Sequence, residues 1–366
     1  MMRVLNARPR LAALVALGWA ACAALYPLDR AHAFDGPDLY PGEAALYDAA
    51  AKDGLVVSSN TGANWANWGA LEAAFTKRYP NVTLAYNDIG SGPAMVALDR
   101  TRAKPMIDTL YAFGVVGVDA ASRGLLAGFK PTNFDRLPTV ARDADARWFT
   151  VHQMPIVFIV NKKLVRTVPR SWADLAKPEY KGAIVYPDPR TSGAGEVAVF
   201  AANLAAGGSL ETVRPGIDYL AELHKIGNVL RVDIGGYTDF LKGKVPIWIS
   251  FEMDGLRAKY ADGMGDEVEL VGPLDGTVAA PYTMSLVKGA RDDSAAKLWL
   301  NFALSDMGQR LFAEGFVRPA VPDLALAPDI AARLPKLPKV ELLDVARALL
   351  RKADIDAGWA QAVLGN

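Results

Sequence analysis

The run Pro189-Arg190-Thr191-Ser192-Gly193-Ala194-Gly195 stands directly before an apolar stretch. If that stretch is helical, its first backbone N–H groups lack internal partners, and the helix dipole puts partial positive charge there. Glycines let a ligand come close to those amides, and hydroxyls add donors. Thr191, Ser192, Gly193 and Ala194 are therefore candidates to hold a phosphate, phosphonate or carboxylate. The competing reading is a tight turn with Ser192 as a plain N-cap. Two loops in the first half of the chain repeat the device, Asn60-Thr61-Gly62 and Gly90-Ser91-Gly92. Three such loops at strand ends point to a crevice of the kind in which α/β sheets bind ligands.

Aromatic residues lie in or beside the same segments: Trp65, Trp68, Tyr237, Trp248 and Tyr282. Their faces could stack on a ring or a cation. Trp248, inside a predicted strand, is expected in the core. Glu252 and Asp254 follow that strand and could meet a cationic group; a solvated turn is the competing reading. Catalytic patterns are missing. His152 and His224 lie outside any metal spacing, and there is no P-loop and no G-x-S-x-G nucleophile elbow. Gly90-Ser91-Gly92 begins like a dinucleotide fingerprint, but Met95 replaces its third glycine. No enzyme activity, metal or cofactor is expected.

The elements that must position these loops follow from hydrophobic periodicity. Leu55–Ser58, Val82–Tyr86 and Asp108–Phe113 read as strands. Leu71, Ala74, Phe75 and Tyr79 share one helical face that Pro80 ends, and Ala94–Arg102 is a second helix. Pro155–Val160, Ala183–Tyr186, Val245–Ser250 and Thr283–Val287 supply further strands, with a long helix ended by Gly207-Gly208 between two of them. This rhythm predicts βαβ units in two lobes, joined near residues 148–154 and again near 276–282.

With 366 residues, 51% hydrophobic, 22% charged and a formal net charge of +0, the chain is neither disordered nor basic enough to grip nucleic acid through phosphates. Its N-terminus carries Arg3, Arg8 and Arg10, an apolar run Leu11–Tyr26 and the small-x-small site Ala31-His32-Ala33. Those are the parts of a cleavable secretory signal over residues 1–33. The run is short of the ~20 residues that cross a bilayer. Cys22 raises the alternative of a lipoprotein, but Trp19 stands where a lipobox has Leu. Cleavage would remove the chain's one cysteine and leave a net charge of about −3.

The segments LEAAFTKRYP at 71–80, SWADLAKPEYKGAIVYPDPRTSGAG at 171–195 and PYTMSLVKGARDDSAAKLWLNFALSDMGQRLFAEGFVRP at 281–319 resemble the periplasmic solute-binding proteins of ABC transporters. The likeness is to the cluster of ferric-iron, polyamine, thiamine and phosphonate or sugar-phosphate binders. It implies a two-lobed type II periplasmic-binding fold, with a mixed, mostly parallel sheet in each lobe and ligand trapped in a cleft between them. Lobe I would take residues 34–150 and 281–320, lobe II residues 151–280, and a helical tail over 321–366 would pack on a lobe. By the resemblance, Ser192, Gly193 and Ala194 match the loop that holds an anion, and Thr61 and Ser91 match loops that touch ligand. Ferric binders usually carry adjacent tyrosines, and no Tyr-Tyr pair occurs here. The implied function is capture of a small anionic or zwitterionic solute by hinge closure, and its delivery as a monomer to an ABC permease and its ATPase. Polyamine or iron binding and a sensor role are the alternatives.

Overall fold

In the computed structural model, residues 34, 36–230 and 236–365 are described; the predicted signal segment lies outside them. Seven strands form one continuous path in the order Thr83–Asn87, Leu55–Ser59, Thr109–Phe113, Thr277–Val287, Phe149–Asn161, Ile247–Phe251, Ile184–Val185. The outer pairs on each side are parallel. The two long strands in the middle run antiparallel to each other and to their neighbours.

Those two strands join the lobes. Phe149–Pro155 pairs with Thr277–Val287, whereas Ile156–Val160 pairs with Ile247–Phe251. Ile156, Val157, Phe158, Ile159 and Val160 are all fully buried, as expected of a β-branched, aromatic run covered on both faces. In lobe I, helix Trp68–Arg78 buries Leu71 and Phe75 against Trp299 and Phe302 of helix Asp293–Leu304. Tyr79 closes that helix before Pro80, whose ring disfavours helical backbone at the preceding residue. In lobe II, Ser171 and Asp174 form a reciprocal capping box that starts helix Trp172–Leu175.

Three elements differ from expectation. The helix predicted from Ala94 begins at Ser91, so the second glycine loop is itself a helix start. The strand predicted from Thr283 begins at Thr277 and runs through Pro281. Val340–Leu342, predicted as helix, is a strand that pairs with Thr277–Ala279. An unpaired strand edge is a row of donors and acceptors that this short segment satisfies. Helix Val345–Leu349 then packs on helix Gly114–Ser122 of lobe I, and helix Lys352–Trp359 on helix Arg214–Lys225 of lobe II.

Candidate functional site

Each candidate loop connects a strand end to a helix start. Asn60 has left-handed backbone (φ 65°) and organises its side of the crevice. Its Nδ2 donates to the Tyr111 carbonyl at 3.2 Å, and its Oδ1 accepts from the Ile89 N–H at 3.2 Å. That side chain ties the loop before Ser91 to the strand Thr109–Phe113. Thr61 differs: it is fully buried and its Oγ1 has no partner among the described residues. Gly62 leaves room for the Asp88 side chain, whose carboxylate stands where an added Cβ would be. Ser91 Oγ accepts from the Phe113 N–H at 3.0 Å, which leaves its own hydrogen to donate elsewhere. Gly92 is exposed, with open space where a side chain would be.

Across from these residues, Ser192 takes the N-cap position of helix Gly193–Ala205 in extended conformation, but its hydroxyl makes no capping bond. The plain-cap reading therefore does not account for its side chain. Thr191 is exposed and Ala194 buried. The backbone of Gly193 faces the Phe113 ring, 3.4 Å from where its Cβ would stand. Phe113 immediately precedes helix Gly114–Ser122, so helix starts from the two lobes, Gly114 and Gly193, approach each other. Gly114 was not among the candidates. Its signal was the strand-to-glycine junction Ala112-Phe113-Gly114, which shares with the other three loops only its glycine.

Trp65 belongs to an aromatic column. Its Nε1 donates to Tyr111 Oη at 3.0 Å, and Tyr111 Oη lies 2.8 Å from His152 Nε2. Burial pushes the His152 pKa down to about 3, so the ring is neutral. Tyr111 Oη accepts from Trp65, and which way its bond to His152 Nε2 runs follows from the imidazole tautomer; His152 Nδ1 is buried with no partner among the described residues. Tyr282 stacks on both, at 5.4 Å from Tyr111 and 5.2 Å from His152, each with a 24° interplanar angle. Trp65 also leans on Tyr282 at 6.2 Å. His152 and Tyr282 stand on the two crossing strands, so the column ties the cleft aromatic to the hinge.

The two acids part ways. Glu252 is 1% exposed, and its carboxylate accepts from Arg318 Nε at 2.6 Å and Nη2 at 2.8 Å. Both oxygens of this carboxylate are held by the part-buried guanidinium of Arg318. Asp254, two residues on, is half-buried in the first turn of helix Glu252–Tyr260 and accepts from Ser250 Oγ at 2.9 Å. Burial raises its pKa to about 6 against the Ser250 bond; Tyr282 and Tyr237 are also shifted up, chiefly by burial, with the Asp254 charge adding to both. Tyr237 donates to Asp262 and carries Arg257 over its ring at 5.0 Å, so its hydroxyl is occupied. Trp68 and Trp248 are core residues, at 0% and 4% exposure. Among the described residues no three His, Cys, Asp or Glu side chains gather to hold a metal ion.

A family model described as a bacterial extracellular solute-binding protein matches residues 109–349. A Salmonella typhimurium protein provisionally named a 2-aminoethylphosphonate-binding periplasmic protein is 28% identical over 247 residues, 66% of this chain and 70% of that one. An uncharacterised Haemophilus influenzae protein is 29% identical over 252 residues, 65% and 69% of the two chains. The periplasmic binding protein AfuA from Actinobacillus pleuropneumoniae, solved with fructose-6-phosphate, superposes with a TM-score of 0.68 at 23% identity, covering 85% of this chain and 98% of that one. A ferric binding protein from Campylobacter jejuni superposes equally well, with a TM-score of 0.68, at 16% identity and 84% and 99% coverage.

Proposed function

The chain belongs to the bacterial extracellular solute-binding proteins, and from that premise we propose that its cleft captures a small zwitterion of the aminophosphonate class. It is the substrate-binding component of an ABC importer. In this reading, export and cleavage after Ala33 place it in the periplasm, where it acts as a monomer and hands its ligand to the permease.

One observation carries the ligand class. The Phe113 ring, directly before helix start Gly114, lies against helix start Gly193, and a carboxylate, Asp254, stands at a third helix start, near enough for its charge to act on Tyr282. Orphan amides and the hydroxyls of Ser91, Thr191 and Ser192 suit a phosphonate. Asp254 suits an ammonium group, with the Trp65–Tyr282 pair as apolar wall between them. The provisional name of the Salmonella relative points to the same chemistry. Ligand bridging the lobes then favours the closed state by its differential affinity.

A melting series tests this. A ligand that binds only the folded protein stabilises it by RT ln(1 + [L]/Kd), about 2.7 kcal/mol at 100-fold excess over Kd. 2-Aminoethylphosphonate should raise the melting temperature more than ethylphosphonate, and phosphate esters less than either. A shift confined to polyamines or to ferric citrate would overturn the reading.

A further inference from the structure

The loop Thr191–Gly195 presents the amides of Gly193, Ala194 and Gly195, whose helix-dipole charge is about half an elementary charge, whereas a phosphonate carries one to two negative charges. A full cation beside the loop would complete the match, and Arg190 is placed to supply it. Its Nε donates to Asp188 Oδ1 at 3.0 Å and its Nη2 to Asp188 Oδ2 at 2.6 Å, while Nη1 has no partner among the described residues. The Asp188 carbonyl in turn accepts from the Ser192 N–H at 2.9 Å, so guanidinium and loop share one anchor.

What holds the guanidinium plane comes from the far end of the chain. Arg190 lies over the ring of Trp359, with its Cζ 5.2 Å from the centroid. Trp359 is 5% exposed and is fixed in turn: its Nε1 donates to Tyr186 Oη at 2.9 Å, and Tyr186 Oη lies 2.8 Å from His224 Nε2. This repeats in lobe II the Trp-Tyr-His chain that holds Trp65 in lobe I. The same C-terminal stretch packs Val345 against Gly114, the helix start that faces Gly193, with no room for a Cβ between them. One segment thus supports both helix starts of the crevice.

We propose that Trp359 is a positioning residue for ligand capture, fixing Arg190 so that its free Nη1 meets the anion held by Thr191–Gly195. The proposal rests on the reading of that loop as the grip on the ligand's anionic end.

Calorimetric titration of the mature protein with 2-aminoethylphosphonate, and hydrogen exchange of the unliganded protein, test it together. Arg190→Gln and Trp359→Leu should each weaken binding by about ten-fold, and the double variant by no more than either alone, since both remove one interaction. Trp359→Phe, which keeps an aromatic face, should stay within about three-fold of the wild type. Arg190→Lys leaves the core untouched but loses the planar stack and fork; it should lose at least about five-fold, and decides the matter should Trp359→Leu fail to fold. Without ligand, Trp359→Leu should speed exchange of amides 190–195 by about ten-fold and leave 91–95 unchanged. Additive losses, full affinity in Arg190→Lys, or unchanged exchange at 190–195 would overturn the proposal. If the wild type captures no phosphonate, the loop reading falls, while the exchange arm still decides whether Trp359 positions the loop.

Discussion

Asp254 and Glu252 stand two residues apart at one helix start, and their surroundings give them opposite roles. Asp254 has a pKa near 6, so its carboxylate forms as pH rises through that value. Its grip on an ammonium should appear over the same window. A phosphonate titrates nearby too, and ethylphosphonate supplies the control. The ratio of 2-aminoethylphosphonate to ethylphosphonate affinity should climb by about ten-fold between pH 5 and 7.5. In Asp254→Asn the ratio should be flat; calorimetry at the two pH values measures it. Glu252→Ala should instead leave a part-buried Arg318 unpaired and destabilise the fold, toward the lower end of the roughly 3–5 kcal/mol for broken buried pairs. Ligand affinity measured below the lowered melting temperature should be retained. The pairing of Glu252 was not legible in the sequence, because Arg318 lies 66 residues away. The hydroxyl and glycine loops were legible, since their chemistry is local to each strand-to-helix junction.

At the scale of elements, helix Gly193–Ala205 carries a buried acid in its first turn. Glu196 is 2% exposed, one of its oxygens has no partner among the described residues, and burial pushes its pKa up to about 7, with Lys352 opposing and Asp356 reinforcing the shift. Its folded pKa lies above the ordinary 4.5, so the folded state binds the extra proton between those values. Stability therefore falls as pH rises through that window, and is unaffected by this group below it. Glu196→Gln should raise stability by about 1–2 kcal/mol at pH 8 and leave it unchanged at pH 4, as read by urea titration. A gain equal at both pH values would mean that packing, and not charge, is responsible. The strand Thr277–Val287 was half-hidden in the sequence because Pro281 interrupts its pattern; in the fold that residue sits opposite Gln153 within the crossing pair. Val340–Leu342 was hidden for another reason. Three residues carry no periodicity, and only the open edge of the neighbouring strand makes them extended.

On the scale of the whole molecule, the alternation of strands and helices was enough to anticipate two α/β lobes joined by two crossings, because each short strand needs a crossover helix to reach its parallel neighbour. The direction of the crossing strands and the aromatic column that joins them to Trp65 depend on register between residues some 130 positions apart, Tyr282 and His152 among them. No local pattern encodes that. The account's central claim is that the two ends of one zwitterion are held by different chemistry, the anion at helix starts from both lobes and the cation at Asp254. A crystal structure of the mature protein with 2-aminoethylphosphonate tests it most directly. The account predicts phosphonate oxygens within hydrogen-bonding distance of amides in Gly193–Gly195 and at Gly114, with the ammonium group against Asp254. A phosphonate bound away from both helix starts, or an ammonium group at the Thr191–Gly195 loop, would contradict it.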